Sequence, residues 1–207
     1  MREIKTFFNT LSPGQYNYLV QLAELTAAWN EKINIISRKD IGHLTERHIL
    51  HSMTIGRYVD FVPGTTILDV GTGGGYPGLP LAVMFPEVNF HLIDGVKKKI
   101  MVVNDIINTM GLKNVTAEQC RVEQCERTYD FIVSRAVTAL PAFVLYCEKN
   151  ISKHHKNRLR NGLLYLKGGD FDEELLQLNH WKWIVYELYN DFPLPFFETK
   201  KLVYLYR

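Results

Sequence analysis

The sequence predicts an α/β protein, with a helical segment followed by a mostly parallel sheet of seven strands. Beyond Pro63 and Gly64, short apolar runs alternate with segments long enough for crossover helices, which is the pattern of repeated βαβ units. The last two apolar runs are rich in aromatic and β-branched residues, and the loop that joins them is too irregular for a helix. Because strands joined without a crossover pair antiparallel, we expect an antiparallel return at the end of the sheet.

The first part of the chain is predicted to be helical. Apolar residues recur at helical spacing between Tyr16 and Trp29, and the preceding SPGQ is a helix start signal. A second helical stretch is predicted over residues 41–59. We therefore assign residues 1–62 to an N-terminal helical cap and residues 63–207 to the domain that holds the sheet, and we expect the two to form one compact unit.

The predicted strands are runs of apolar, β-branched and aromatic residues with lengths typical of strands. They are TTILDV (65–70), NFHLID (89–94), NVTAEQ (114–119), YDFIVS (129–134), GLLYLK (162–167), WKWIVYELYN (181–190) and KKLVYLYR (200–207).

Composition limits the classes of protein to which the chain can belong. With 207 residues, of which 46% are hydrophobic, it can bury one substantial core. The formal net charge of +2 is too small to indicate nucleic-acid binding, so such a surface would have to be a local patch. No apolar run approaches the roughly 18 residues of a membrane span, and the charged N-terminus is not typical of a signal peptide.

The cysteines indicate the compartment. Cys120, Cys125 and Cys147 are odd in number and lack the spacing of a zinc site. They are typical of reduced thiols. We therefore expect a cytoplasmic protein that binds no metal and no membrane.

A glycine-rich turn follows the first predicted strand, in the sequence ILDVGTGGGYPGLPLAV (67–83). So many glycines indicate that the backbone passes close to a ligand. A phosphate-binding loop needs a Lys and then a Ser or Thr after its glycines, whereas Gly78 is followed by Leu79 and Pro80. The sequence therefore excludes a phosphate-binding loop of that type.

The turn also contains a dinucleotide fingerprint, Gly73-x-Gly75-x-x-Gly78, which alone is a weak signal. Pro77 stands where a helix N-terminus should offer free N–H groups to a pyrophosphate, which disfavours a dinucleotide. Asp69 precedes the turn, and an acid there favours a ligand with positive charge. S-adenosylmethionine carries an ammonium and a sulfonium and no phosphate, so we expect it as the cofactor.

The second predicted strand ends at Asp94. A carboxylate there can accept hydrogen bonds from both ribose hydroxyls of an adenosine. The alternative is that Asp94 caps the helix that begins near Val96. Beside the glycine turn, we favour ribose binding.

Basic residues follow the next three strands, namely Arg121, Arg135 and Lys167. Ligands of a parallel sheet lie beyond the carboxyl ends of its strands, so we expect these side chains to converge there. They would place an anionic substrate such as nucleic acid beside a cationic cofactor. One such Arg is usually a surface ion pair, but three together favour catalytic and substrate-binding roles.

Other basic residues are weaker candidates. His48 and His51 lie three apart in ERHILHS and, with Arg47, could face the substrate. The alternative is a polar helix face packed against the domain, which we favour more for His51 than for His48. The basic run from Lys153 to Arg160 is predicted to lie in a loop near the active site at the carboxyl ends of the strands, where it could contact RNA.

Two devices that some nucleic-acid methyltransferases use do not occur in the sequence. No Asn/Asp-Pro-Pro-aromatic segment follows the fourth strand, where SRAV stands, and no cysteine is placed to attack a pyrimidine. A nucleophile with a free lone pair and no proton to lose, such as guanine N7, needs neither device.

Several segments together resemble one family. LDVGTGGGYPGLPLA, HLIDGVKKK, RVEQ, YDFIVSRAV and YLKG occur in the order and spacing of the small-subunit ribosomal RNA methyltransferase G family, also called glucose-inhibited division protein B. WNEKINIISRKD and ERHILHS resemble the helical cap of that family. The resemblance covers nearly the whole chain. It implies a Rossmann-like class I methyltransferase fold, S-adenosylmethionine as donor, and transfer to guanine N7 in the decoding region of 16S rRNA.

The motifs and the resemblance together give expected roles for individual residues. We expect a cofactor site formed by Asp69, Gly71, Gly73, Gly75, Tyr76, Asp94, Val122, Glu123 and Arg135. We expect catalytic roles for Arg121, Arg135 and Lys167, and substrate binding by Arg47, His48, Arg121 and Lys167. The partner would be 16S rRNA in the small ribosomal subunit and not DNA, and the enzyme would act as a monomer.

The sequence departs from the family pattern at His51, Gly74, Tyr76 and Gly95, and it has Ile35-Ile36 in place of Leu-Thr. These changes affect the cap and the rim of the cofactor site, but they leave the glycine turn and the basic positions intact.

Other functions remain as alternatives. The chain could methylate another RNA, a protein or a small molecule, or it could be a non-catalytic RNA-binding protein that keeps the cofactor. A nicotinamide-dependent oxidoreductase is disfavoured by Asp69 and Pro77.

Overall fold

Seven strands form one sheet in the computed structural model, which describes residues 1–37, 39–135 and 137–207. The strands are β1 (Thr66–Val70), β2 (Asn89–Asp94), β3 (Val115–Gln119), β4 (Phe131–Arg135), β5 (Gly162–Gly168), β6 (Lys182–Glu187) and β7 (Lys200–Tyr206). Their order is β3-β2-β1-β4-β5-β7-β6. The predicted number of strands is confirmed.

Strands β1 to β5 run parallel, and β7 pairs antiparallel with both β5 and β6. The predicted antiparallel return is therefore confirmed. Ile67 in β1 lies between Phe90 of β2 and Phe131 of β4. The strand order reverses between β1 and β4, which is where open parallel sheets bind their ligands, beyond the carboxyl ends of the strands. We call this side, at the carboxyl ends of β1 to β5, the carboxyl edge.

The α-helices surround this sheet and precede it. They are α1 (Arg2–Phe7), α2 (Pro13–Lys32), α3 (His51–Met53), α4 (Ile55–Tyr58), α5 (Gly78–Met84), α6 (Lys97–Met110), α7 (Leu140–Cys147) and α8 (Asp172–Leu176). Helix α2 begins as predicted, because the side chain of Ser12 accepts from Gln15 N–H and the side chain of Gln15 accepts from Ser12 N–H. Within the described ranges, no helix combines the length and the apolar character needed to cross a bilayer.

The second predicted helix, residues 41–59, is helical but interrupted. A 3₁₀ turn (Ile41–His43) and a π-helical turn (Thr45–Leu50) precede α3 and α4. The hydroxyl of Ser52 donates to the His48 carbonyl, and the hydroxyl of Thr54 donates to the His51 carbonyl. These bonds compete with the N–H groups that an uninterrupted α-helix would direct to the same carbonyls, which accounts for the breaks.

Two apolar clusters cover the two faces of the sheet. On one face the cap packs directly on the domain, since Leu19 and Leu50 belong to the same cluster as Leu79 and Ile106. The other cluster contains Tyr165 with residues of α7 and α8. The indole N–H of Trp29 also donates to Asp105 Oδ2 at 2.7 Å. The cap therefore forms part of the framework that shapes the carboxyl edge.

The basic run from Lys153 to Arg160 lies at the amino ends of the parallel strands, whereas it was predicted near their carboxyl ends. It follows Ile151, which bridges to Tyr129, and it precedes Gly162, which pairs with Phe131 at the start of β4. A segment that leads into a strand of a parallel sheet reaches it at the amino end, so this run cannot border the carboxyl edge. The prediction of a basic loop near the active site was wrong.

Candidate functional site

A cavity of about 600 Å³ opens at the carboxyl edge. The cap contributes Ile35, Ile36 and His48 to its lining, and the rest comes from the glycine turn after β1, from the segments around the ends of β2, β3 and β4, and from helices α6 and α7. This volume lies in the range of about 300–1,000 Å³ that is typical of small-molecule sites.

Most of the predicted site residues meet in this cavity. Those that line it are His48, Gly71, Gly73, Tyr76, Asp94, Arg121, Val122, Glu123 and Arg135. Arg47, Asp69, Gly75 and Lys167 were also predicted, and they lie outside its lining. The positions of these four residues are described below.

The glycine turn brings the backbone close to the opposite wall. Gly71 has φ +69°, a conformation that residues with a side chain rarely adopt. A Cβ at this position would lie 2.6 Å from Cγ2 of Val137, which follows β4. Both residues line the cavity, so the turn passes within van der Waals distance of the segment across from it.

Asp69 is fully buried beneath the turn. Its Oδ2 accepts from the Thr72 hydroxyl at 2.6 Å and from Gly78 N–H at 2.8 Å. Burial raises the pKa of Asp69 to about 7, while the bonds from Thr72 and Gly78 act in the other direction. Because Gly78 is the first residue of α5, the carboxylate takes an N–H group that a pyrophosphate would otherwise use.

Asp94 joins the end of β2 to the turn. Its Oδ2 accepts from Gly73 N–H at 3.0 Å, and its Oδ1 accepts from Val96 N–H at 2.8 Å. Val96 is the N-cap residue of α6, so this bond resembles the helix capping that the sequence left open as the alternative role of Asp94. Each carboxylate oxygen can accept a second hydrogen bond, so Asp94, which lines the cavity, still has acceptor capacity for a pair of ribose hydroxyls.

Tyr76 connects the turn to the cap. Its ring lines the cavity, and its hydroxyl lies 2.9 Å from the hydroxyl of Thr26 in α2. The neighbouring Gly75 packs against Leu79. Gly75 therefore supports the turn from behind.

The segment after β3 contributes one apolar and two charged residues to the wall of the cavity. Val122 is buried, whereas Arg121 and Glu123 are exposed, and all three line the cavity. Within the described ranges Arg121 forms no salt bridge. Its guanidinium is thus available to an anionic ligand.

Arg135, at the end of β4, is bonded to the cap. Its Nη1 donates to the Arg47 carbonyl at 3.0 Å, and its Nη2 lies 2.8 Å from Nδ1 of His48. Burial and the nearby Arg135 charge lower the pKa of His48 to about 4, so the imidazole is neutral at physiological pH. Because a guanidinium only donates, Nδ1 of His48 is the acceptor and the ring hydrogen is on Nε2.

The side chains of Arg47 and Lys167 have partners of their own. Arg47 Nη1 lies 2.9 Å from Asp40 Oδ1, and Lys167 Nζ lies 3.0 Å from Glu174 Oε1. The predicted convergence of basic residues on the cavity therefore includes Arg121 and Arg135, whereas Lys167 is held beside α8.

His51, the weaker of the two histidine candidates, is buried. Its ring contacts the rings of Phe196 and Phe197, with centroids 5.3 and 5.8 Å away. Burial, with the Arg135 charge as the next cause, holds the pKa of His51 well below its ordinary value. The favoured interpretation of His51 as a packed residue agrees with this position.

Several residues of the site were not predicted from the sequence, among them Thr26 in the cap and Val137 after β4. Ile35, which was expected to affect the rim of the cofactor site, lines the cavity. A signal for Val137 was present, because it follows Arg135 in SRAV, directly after a strand. Thr26 carried no such signal, because within the periodic pattern of α2 it is one more buried position.

The residues of the cavity fit S-adenosylmethionine. The turn at Gly71 has no room for a side chain, as a cradle for a closely held ligand requires. The cavity contains the carboxylates of Asp94 and Glu123 for a ligand with hydroxyl groups and positive charge. The N–H of Gly78 is already bonded to Asp69, which disfavours a pyrophosphate at that point.

The chain is similar over most of its length to proteins of one family. A family model described as rRNA small subunit methyltransferase G matches residues 15–191. A Flavobacterium johnsoniae protein named ribosomal RNA small subunit methyltransferase G is 52% identical over 205 residues, which are 99% of this chain and 97% of the relative. A protein of the same name from Phocaeicola vulgatus is 48% identical over 205 residues, 99% of this chain and 98% of the relative.

A solved structure has a similar fold. The crystal structure of a SAM-dependent methyltransferase from Aquifex aeolicus has a TM-score of 0.58 to this chain at 19% sequence identity, and it covers 82% of this chain and 98% of its own. This likeness confirms the predicted Rossmann-like methyltransferase fold. By the match of the family model over most of its length, the chain belongs to the rRNA small subunit methyltransferase G family.

Proposed function

We propose that this protein transfers a methyl group from S-adenosylmethionine to N7 of a guanine in 16S rRNA, in the decoding region of the small ribosomal subunit. Family membership supports the reaction class and the ribosomal RNA substrate. The observation that carries the choice of N7 is the position of the acidic groups in the cavity.

The described residues of the cavity lining include two carboxylates, Asp94 and Glu123. Both are contributed by the segments at the ends of β2 and β3, on the side of the glycine turn. The groups from the cap and the end of β4 are the neutral His48 and the cationic Arg135. Methylation of an amine or hydroxyl needs a base that removes a proton, whereas N7 reacts through a lone pair and loses no proton. Among the described lining residues, the cap and the end of β4 therefore contribute a hydrogen-bond donor and a cation but no carboxylate base, which favours N7.

We propose that the cofactor is held by Gly71, Gly73, Tyr76 and Asp94 together with Val122 and Glu123. Asp94 would accept the ribose hydroxyls, and Val122 with Glu123 would border the adenine. Asp69 and Gly75 would act beneath the turn by fixing its shape, since Asp69 bonds Thr72 and Gly78.

In this reaction the bound cofactor would supply an electrophilic methyl group from its sulfonium, and the positive charge would pass to the guanine. Arg135 would orient His48 through its bond to Nδ1. The Nε2–H of His48 would then be free to donate to an acceptor on the base, while Arg121 would contact an RNA phosphate. Arg47 would contribute through its carbonyl, which fixes Arg135.

We further propose that the protein works as a monomer in the cytoplasm, and that the boundary after residue 62 separates a cap, which contributes His48, from the methyltransferase domain proper.

Transfer of labelled methyl groups tests the proposal. Purified protein is incubated with methyl-tritiated S-adenosylmethionine and small subunits from a strain that lacks this methyltransferase, and the RNA is then digested to nucleosides. We expect the label in 7-methylguanosine. Label in another nucleoside would contradict the choice of N7, and label in protein or in no macromolecule would contradict the RNA substrate. Naked 16S rRNA in parallel shows whether assembly is required.

A further inference from the structure

The loop between β4 and α7 is tied to β5 through one hydroxyl group. The hydroxyl of Tyr165 accepts from Val137 N–H at 2.8 Å and from Thr138 N–H at 3.0 Å. It donates in turn to the Thr138 carbonyl at 2.8 Å. The ring of Tyr165 is fully buried and packs edge-on against Phe143. One buried side chain thus satisfies three backbone groups of the loop.

A second anchor holds the end of the same loop. Glu174 Oε2 accepts from Leu140 N–H, the first residue of α7, at 2.6 Å. The other oxygen, Oε1, lies 3.0 Å from Lys167 Nζ. Lys167 therefore acts on the loop through Glu174, although it lies outside the cavity lining.

The anchored loop forms a wall of the cavity. Val137 and Thr138 both line it, and Val137 lies against the turn at Gly71. Val137 is 46% exposed, so burial of its own side chain cannot account for the position of the loop. The backbone hydrogen bonds to Tyr165 and Glu174 instead fix it.

We propose that Tyr165 and the Lys167–Glu174 pair are positioning residues for methyl transfer, which hold residues 137–140 in place as the wall that aligns the acceptor base with the methyl donor. This inference rests on the proposed function, because the acceptor is the rRNA base. Misalignment of the reacting atoms lowers the rate of transfer even when both ligands bind. Lys167 thus serves the reaction without contact with the substrate.

Tyr165→Phe is the first test, because it removes the hydroxyl and keeps the ring. The matched control is Tyr204→Phe on the adjacent strand β7, where a buried tyrosine donates to the Arg160 carbonyl at the amino side of the sheet. Both variants lose a buried hydroxyl, so both show the general effect of that loss on the stability of the protein. Only Tyr165→Phe frees the loop.

Two measurements distinguish positioning from stability. In Tyr165→Phe we expect amide hydrogen exchange in residues 137–140 to rise about tenfold. We also expect kcat for label transfer to subunits to fall about fivefold, with the Kd for S-adenosylmethionine changed less than about twofold. Tyr204→Phe should change none of these. Equal kcat values for Tyr165→Phe and the parent protein, or slow exchange in the loop of Tyr165→Phe, would overturn the proposal.

The second anchor is tested by Glu174→Ala, Glu174→Gln and Lys167→Met. Glutamine keeps an oxygen that can accept from Leu140 N–H, so Glu174→Gln should recover most of the kcat lost in Glu174→Ala. The effect of Lys167→Met should vanish in the Glu174→Ala background, since both act through one contact. If Lys167→Met lowers kcat equally in both backgrounds, Lys167 acts directly and this part of the proposal is wrong.

The parent protein is measured first in the same assay. If the parent transfers no label to RNA, the proposed function fails. In that case the hydrogen-exchange comparison of Tyr165→Phe with Tyr204→Phe still decides whether the hydroxyl orders the loop.

Discussion

Nη2 of Arg135 lies 2.8 Å from Nδ1 of His48, and this contact joins the end of β4 to the cap. It sets the tautomer of the imidazole, because an Arg side chain can only donate. The same guanidinium donates to the Arg47 carbonyl at 3.0 Å. The cap and the end of β4 therefore form one wall of the cavity. The orientation of the His48 ring in that wall depends on the Arg135 guanidinium.

Arg135→Lys is expected to lower kcat by about tenfold or more, because an ammonium cannot reproduce the planar fork that contacts His48 and Arg47 together. Arg135→Ala should be at least as severe. Steady-state kinetics of methyl transfer check this, with far-UV and near-UV circular dichroism to confirm the fold. Activity of Arg135→Lys close to that of the parent protein would show that the charge alone matters.

Gly71→Ala is expected to weaken binding of S-adenosylmethionine by about tenfold or more, since the new methyl group would require both a strained φ and displacement of Val137. The matched control is Gly74→Ala, where a Cβ would meet Ile35 Cδ1 at 3.4 Å and φ is unstrained. We expect that control to bind within about twofold of the parent. Isothermal titration calorimetry measures both, and equal losses in the two variants would contradict the assigned role of Gly71.

Tyr76→Phe is expected to reduce stability by about 0.5–1.5 kcal/mol, because it breaks the hydroxyl contact with Thr26. Thr26→Val should have a similar effect. The double variant should cost clearly less than the sum of the two, since one contact is lost in all three proteins. Urea unfolding of the four proteins measures this. Additive losses would mean that the contact contributes nothing to the attachment of the cap.

His51 is expected to make the folded state sensitive to acid. Burial holds its pKa well below the ordinary value of 6.5, so below that pH the unfolded chain binds a proton that the folded chain does not. Stability contributed by the neutral ring is therefore present above pH 6.5 and is lost as the pH falls, by at most about 1.4 kcal/mol per pH unit.

The test is the urea midpoint of the parent protein and of His51→Leu at pH 7 and pH 5. The difference between the two proteins should shift in favour of His51→Leu at the lower pH. The titration of Asp69 occurs in both proteins, so it contributes to both midpoints. A constant difference at the two pH values would show that His51 accepts its proton in the folded state.

Much of the fold could be predicted from the sequence, because strands and crossover helices differ in period and length. The interruption of residues 41–58 could not be predicted, since it depends on where the hydroxyls of Ser52 and Thr54 direct their bonds. The run from Lys153 to Arg160 leads into β5, so the parallel topology places it at the amino end of that strand. The prediction that it borders the site failed because it rested on the charge of the run and not on this topology.

The part of the cavity lining that follows β1, β2 and β3 was predictable, because its residues follow strands directly in sequence. Gly71, Asp94 and Val122 all lie within a few residues of a strand end. The loop anchors were not predictable. Tyr165 is one more apolar position within a buried strand, and only the fold brings its hydroxyl to Val137. Glu174 likewise reaches the site from a helix that follows β5.

The most direct test of the central claim is chemical cleavage of 16S rRNA at N7-methylated guanosine. Small subunits from a strain without the enzyme are treated with this protein and S-adenosylmethionine, and the extracted RNA is reduced with borohydride and cleaved with aniline. We predict one new cut, in the decoding region, that requires both protein and cofactor and is absent with Arg135→Ala. Methyl incorporation into the RNA without a new cut, or a cut elsewhere in the RNA, would contradict the account.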